Sequence, residues 1–219
     1  MSKRQSAREA ARERAKGDFW LDHVELVGAD NEWLSEAEKL TLWNVRMPAS
    51  FLAGLPKLWW LDLRGGTAPD LAITRSCRGL RCLQVNQVRG MVDLGMLTEH
   101  MSLQLLSLYG LASAAIVPSL LPLNRLLRLE VGQMRSLPAL DGLLDAPNLR
   151  ELYLHKQVGV SEADIRNILG HRSLRQFCWN AEGVPARVSE PVRRRIGLPE
   201  SSAMHPNEWF DGLLNEART

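Results

Sequence analysis

The stretch Leu58-Trp59-Trp60-Leu61-Asp62-Leu63 decides the fold, because it recurs. Leu80-Arg-Cys-Leu83-Gln-Val85, Leu103-Gln-Leu-Leu106-Ser-Leu108, Leu126-Leu-Arg-Leu129-Glu-Val131, Leu149-Arg-Glu-Leu152-Tyr-Leu154 and Leu174-Arg-Gln-Phe177-Cys-Trp179 share its spacing of apolar residues. The first leucines follow one another at 22, 23, 23, 23 and 25 residues. Fainter copies precede them as Ala37, Leu40, Leu42 and as Leu21, Val24, Leu26. A period this constant marks stacked units rather than a merely leucine-rich chain.

Within each copy the last two apolar residues alternate with variable ones, a period of two that turns both toward one face of a strand. Upstream, a second apolar set recurs at intervals of three: Leu52 and Leu55, Leu94 and Leu97, Val117 with Leu120 and Leu123, Leu140 and Leu143, Ile165 and Ile168. That spacing suits a short helix or a 3₁₀ turn on the back of the strand. No such unit buries both surfaces alone, so the units are expected to stack over one continuous core. The expected fold is an α/β solenoid with a parallel concave β-sheet of about 7–8 strands, short helices or 3₁₀ turns on its convex side, and a cap at each end. A helical bundle with leucine heptads fits less well, because Gly65-Gly66, Gly79, Gly90, Pro118, Pro122, Pro138 and Pro147 interrupt the pattern.

The chain resembles the leucine-rich repeat family over residues 37–180, with a weaker extension back to about residue 20. That family usually carries Asn or Cys three residues after the last strand leucine, where its side chain bonds the turn backbone. Here Val45, Gly66, Val88, Leu111, Met134 and Gln157 stand there, so the stacking is expected but regular turns are not. Three segments follow: a basic N-terminal arm (1–17), a repeat solenoid with its N-terminal cap (18–180) and a C-terminal capping segment (181–219). Alanines 7, 10, 11 and 15 make the arm a candidate helix. Ser189-Glu190-Pro191 reads as a helix start with Pro at the first position, followed by Arg193-Arg194-Arg195. From Pro206 a short amphipathic helix is expected, pairing Trp209 with Leu213 and Phe210 with Leu214.

With 45% hydrophobic and 24% charged residues, the 219-residue chain can bury a core, which excludes wholesale disorder. A net charge of +2 argues against a dedicated nucleic-acid binder. The longest near-apolar stretch, Leu108 to Leu127, is broken by Pro118, Pro122, Asn124 and Arg125, so no membrane span is expected. No apolar run follows the basic N-terminus, and three cysteines suit a reducing compartment, so the expected location is cytoplasmic.

Motifs of nucleophilic, phosphate-binding, zinc-protease or dinucleotide chemistry are absent from the sequence. The stacking places Cys82 about four strand spacings, roughly 19 Å, from Cys178, too far for one zinc ion or a disulfide. Free thiols, no metal and no cofactor are therefore expected. Glu151, Tyr153 and His155 alternate along one strand beside Glu130, a set able to do acid-base work. An open sheet gives such a set little exclusion of water, which favours a recognition surface over an active site.

With the leucines inward, three files of side chains run across the solvent face. The first is Lys39, Trp60, Cys82, Leu105, Arg128, Glu151 and Gln176; the second is Thr41, Asp62, Gln84, Ser107, Glu130, Tyr153 and Cys178. The third is Trp43, Arg64, Asn86, Tyr109, Gly132, His155 and Asn180. The charges of Lys39, Arg64 and Arg128 cancel those of Asp62, Glu130 and Glu151, unlike a phosphate-binding groove. Exposed Trp and Tyr with Arg companions are interface anchors. The expected partner-binding set is Trp43, Trp60, Asp62, Arg64, Tyr109, Arg128, Glu130, Glu151, Tyr153 and His155, facing a folded protein and no small-molecule substrate. The resemblance implies a non-catalytic binder of the short bacterial cytosolic kind, with a toxin-neutralising, immunity-type role as its most specific form. The alternatives are an effector or adaptor recognising host or substrate proteins, and an enzyme centred on Glu130, Tyr153 and His155.

Overall fold

Nine strands form one sheet in chain order in the computed structural model, which describes residues 6–200 and 205–216. They are β1 (Arg12–Ala15), β2 (Asp18–Asp22), β3 (Lys39–Trp43), β4 (Trp60–Arg64), β5 (Cys82–Asn86), β6 (Leu105–Tyr109), β7 (Arg128–Gly132), β8 (Glu151–His155) and β9 (Gln176–Asn180). From β2 onward each strand pairs parallel with the next, whereas β1 folds back antiparallel on β2. The six clear sequence copies each become one strand.

Their apolar residues lie in register. Leu40, Leu61, Leu83, Leu106, Leu129, Leu152 and Phe177 form one file, and Leu42, Leu63, Val85, Leu108, Val131, Leu154 and Trp179 the other. All are buried except half-buried Leu63. Behind them the chain returns through short helices α1 (Ala7–Ala10) and α2 (Asn31–Leu34), 3₁₀ turns such as Phe51–Gly54 and Gly95–Glu99, and helix α3 (Glu162–Gly170). The three-residue apolar spacing supplies their buried side: Leu52, Leu97, Leu120, Leu143 and Ile168 all lie in the main core.

The turns after the strands are regular without the missing Asn. The residue directly following β2 to β8 is left-handed each time: His23, Asn44, Gly65, Gln87, Gly110, Gln133 and Lys156, with φ between 47° and 68°. Each donates its backbone N–H to the carbonyl of the last residue of the next strand, at 2.7 to 3.2 Å. A left-handed non-glycine residue costs about 1–2 kcal/mol. Here the backbone ladder it completes offsets that cost and replaces the side-chain ladder, so the expected irregularity of the turns is corrected.

Among the described residues eight strands, β2 to β9, run parallel, within the expected 7–8, and the arm adds a ninth that is antiparallel. Other expectations are corrected too. Residues 2–5 lie outside the described part, but Arg12–Ala15 is a strand rather than a helix, and only Ala7–Ala10 is helical. The faint copy at Leu21, Val24 and Leu26 was out of register: the strand is Asp18–Asp22, with Phe19 and Leu21 in its apolar places. Lys16 stands where the first apolar residue belongs, which hides the true copy.

At the far end, helix α4 (Ala186–Ile196) packs against β9 and α3. It starts at Ala186, not at Pro191, which sits inside it and removes only one early backbone bond. Helix α5 (Pro206–Glu216) does something else. Its Trp209 and Phe210 join Trp60, Cys82 and Leu105 in an apolar cluster separate from the main core, with Leu213 packed against it. The side chain of Leu214 lies outside the described residues. Only part of the C-terminal segment therefore lies at the end of the sheet; α5 crosses its polar face. Among the described residues no helix is long and apolar enough to cross a membrane.

Candidate interaction face

The three files expected on the solvent face are the files observed, residue for residue. Their exposure differs from file to file, and α5 is the main cause. Along the first file Trp60 is 4% exposed, and Cys82, Leu105 and Arg128 are fully buried. The rings of Trp60 and Phe210 lie 5.5 Å apart, and Phe210 also meets Trp59 at 5.4 Å. Trp209 donates its indole N–H to Glu151 Oε1 at 2.7 Å, while Lys39 Nζ donates to Asn207 Oδ1 at 3.2 Å. Helix α5 thus spans the file from β3 to β8. It is α5 that meets Trp60.

Arg64 and Arg128 pair directly with the three carboxylates, whereas Lys39 lies over Trp59 and Trp60. Arg128 bonds Glu130 Oε1 through Nε at 2.8 Å and Glu151 Oε2 through a terminal nitrogen at 3.1 Å. Arg64 bonds Asp62 Oδ2 at 2.8 Å. Burial pushes the Asp62 carboxyl up, against the pull of Arg64. Such buried pairs are costly to break from one side, because the other charge is left unpaired in a poor solvent. Asp62, Arg128, Glu130 and Tyr153 are consequently part of the packed structure rather than free anchors, which corrects the expectation that they face solvent.

Tyr153 is 2% exposed and stacks on His155, with ring centroids 4.3 Å apart and planes 21° from parallel. Burial foremost, with a Cys178 hydrogen bond, pushes its phenol up to about 12. Burial pushes His155 down, although the Glu130 charge opposes this. At neutral pH both rings are held uncharged, an arrangement suited to packing and hydrogen bonding more than to proton transfer.

The third file stays open. Trp43 is 39% exposed, Arg64, Asn86, Tyr109 and His155 are half-buried, and Asn180 is exposed. Half-buried Gln84 and Ser107 of the second file adjoin them. Gly132 makes the notch between Tyr109 and His155: a Cβ there would stand 2.6 Å from Tyr109 Cδ2 and 2.6 Å from His155 Cβ. The two rings can therefore meet edge to face at 6.4 Å across β7. The sequence reading missed Trp20, whose ring lies 5.8 Å from Trp43 and carries the guanidinia of Arg14 and Arg64 at 5.4 and 5.5 Å. Its signal was the file position beside Thr41, concealed by the slipped copy.

Of the ten residues expected to bind a partner, Trp43, Arg64, Tyr109 and His155 remain accessible together. Trp60 and Glu151 contact α5, and the other four are buried in the face. Cys77, Cys82 and Cys178 are buried free thiols. Among the described residues no three His, Cys, Asp or Glu side chains converge as a metal site would require. No protein-family model matches the chain, and no curated protein matches it.

Proposed function

We propose that the chain is a non-catalytic protein-binding module of the leucine-rich repeat type, a solenoid that grips a folded protein on its concave sheet. The observation carrying this reading is the open strip Trp20, Trp43, Arg64, Asn86, Tyr109 and His155. It joins aromatic and guanidinium anchors to amide and hydroxyl groups, the composition of interface hot spots. The neutral, packed state of Tyr153 and His155 supports binding over acid-base catalysis. A toxin-neutralising, immunity-type role in the cytoplasm is the most specific form of the proposal, and it rests on resemblance alone.

The test begins with affinity purification from the native cell and continues by calorimetry with the purified partner. Tyr109→Ala and Trp43→Ala should each weaken binding by about 2 kcal/mol, roughly thirty-fold, without lowering the melting temperature. Wild-type affinity in both variants would refute the assignment of this strip. Tyr153→Ala does not serve, because a side chain 2% exposed is part of the packing.

A further inference from the structure

The edge from which the strands enter the sheet carries a second, differently charged surface. The carbonyls of Trp59, Arg81, Gln104, Leu127 and Arg150 each accept two backbone N–H groups from the next unit. This ladder fixes Arg81, Gln104, Leu127, Arg150 and Arg175 in a single file, one per strand. Along its latter half lies a groove of about 690 Å³ lined by Arg125, Arg150 and Arg175 together with Gln104, Asn148 and Ser173 among others, and by no carboxylate. The groove is built rather than loose. Asn148 Nδ2 donates to the Asn124 carbonyl at 2.8 Å, Ser173 Oγ donates to that of Pro147 at 2.9 Å, and Arg175 donates to the carbonyls of Arg172 and Leu174.

Its three arginines converge on a wall that holds no carboxylate. Arg193, Arg194 and Arg195, which look more basic in sequence, are each paired with a carboxylate: Glu200, Glu190 and Glu162. Arg64 and Arg128 are paired as well. Arg125, Arg150 and Arg175 have no acidic partner among the described residues, although all three are exposed. Three unneutralised guanidinia in one polar groove supply a field and a set of forked donors that match carboxylates.

We infer that this groove docks an acidic polypeptide segment of a partner protein, a site separate from the open strip. The neighbouring stretch of the same edge already receives a polypeptide segment of this chain. Helix α5 carries Glu208, Asp211 and Glu216 and no basic residue, and it seats Phe210 under the guanidinium of Arg81. Nucleic acid fits the groove poorly, because no aromatic ring lines it for base stacking.

Fluorescence anisotropy of a labelled octaglutamate peptide tests this with the full chain at 50 and 300 mM salt, alongside a labelled twelve-residue oligothymidylate. The variant Arg125→Ala/Arg150→Ala/Arg175→Ala is set against Arg193→Ala/Arg194→Ala/Arg195→Ala, which removes the same charge from paired positions. All six side chains are exposed, so both variants should fold, and circular dichroism checks this. Peptide binding should weaken at least ten-fold in the groove variant, less than two-fold in the control, and fall steeply with salt. Equal losses in the two variants would reduce the effect to net charge and overturn the site. Absence of peptide binding at 50 mM salt, or tighter oligothymidylate binding abolished by the groove variant, would overturn it as well.

Discussion

Replacing Trp209 and Phe210 together with alanine should release helix α5 while the sheet stays folded. These side chains are 6% and 3% exposed, and their rings touch each other at 4.9 Å as well as the floor made by Trp60, Cys82 and Leu105. Truncating a buried aromatic costs about 3–5 kcal/mol, so the pair would lose roughly 6–10 kcal/mol if the two effects added. Rings in contact couple, which makes the lower end the better estimate. An 11-residue helix is marginal in water without tertiary contacts, so even that loss exceeds what keeps α5 ordered. The sheet should survive, since none of these residues belongs to the main core. Hydrogen exchange reads both outcomes at once. Amides of α5 should lose protection while those of β4 to β8 keep it, and the melting temperature should fall by less than about 4 °C, equivalent to roughly 1–2 kcal/mol at this chain length. Persisting protection over 206–216 would refute the anchoring role of the two rings. Collapse of protection throughout the sheet would refute the separateness of the two clusters.

Two further predictions concern stability. Asp164 is fully buried and accepts bonds from Leu140 N–H at 2.9 Å and from Ser161 N–H and Oγ at 2.6 and 2.7 Å. Asp164→Ala should cost about 2–4 kcal/mol, lowering the melting temperature by roughly 5–15 °C, and an unchanged melting curve would contradict the holding role of these bonds at the start of α3. His100 is buried, with Nε2 2.8 Å from Thr74 Oγ1, whose own proton goes to the Leu71 carbonyl. Burial foremost holds its pKa below the usual histidine value. The native state therefore resists a proton that the unfolded chain accepts near pH 6.5, so stability is complete above that pH and falls as the pH drops below it. His155 contributes with the same sign. Melting followed from pH 7.5 to 5.5 should show the decline in wild type and a shallower one in His100→Gln; identical slopes would rule out His100 as a source.

The parallel sheet was legible because each leucine-bearing segment makes the same physical demand. Two inward residues per strand and an apolar pair behind it must be buried, and the only register that buries all of them aligns Leu61, Leu83, Leu106, Leu129, Leu152 and Phe177. Where the demand weakens, so does the reading. At Lys16 the first apolar place is charged, and the copy beginning there was displaced onto Leu21, Val24 and Leu26. The left-handed residues were not legible for another reason. His23, Asn44, Gln87, Gln133 and Lys156 share no chemistry, and what holds them is the backbone of the neighbouring unit.

The candidate face shows the same division between pattern and context. Alternation fixes which residues point away from the leucines, but not what lies above them. One sign of a cover was present: Trp60, Cys82 and Leu105 are consecutive across β4, β5 and β6 on a face otherwise rich in charge. Three adjacent apolar positions there are a patch that water would leave unstable, and the amphipathic helix expected from Pro206 carries a matching stripe in Trp209, Phe210 and Leu213. Each stripe is explained by the other. Their union dries the half of the face where the strands begin and draws Arg128 with Glu130 and Glu151 into a buried ion network. On the proposed function, a partner's footprint should therefore follow the third file from Trp43 on β3 to His155 on β8, with Trp20 beside its start, rather than the middle of the sheet.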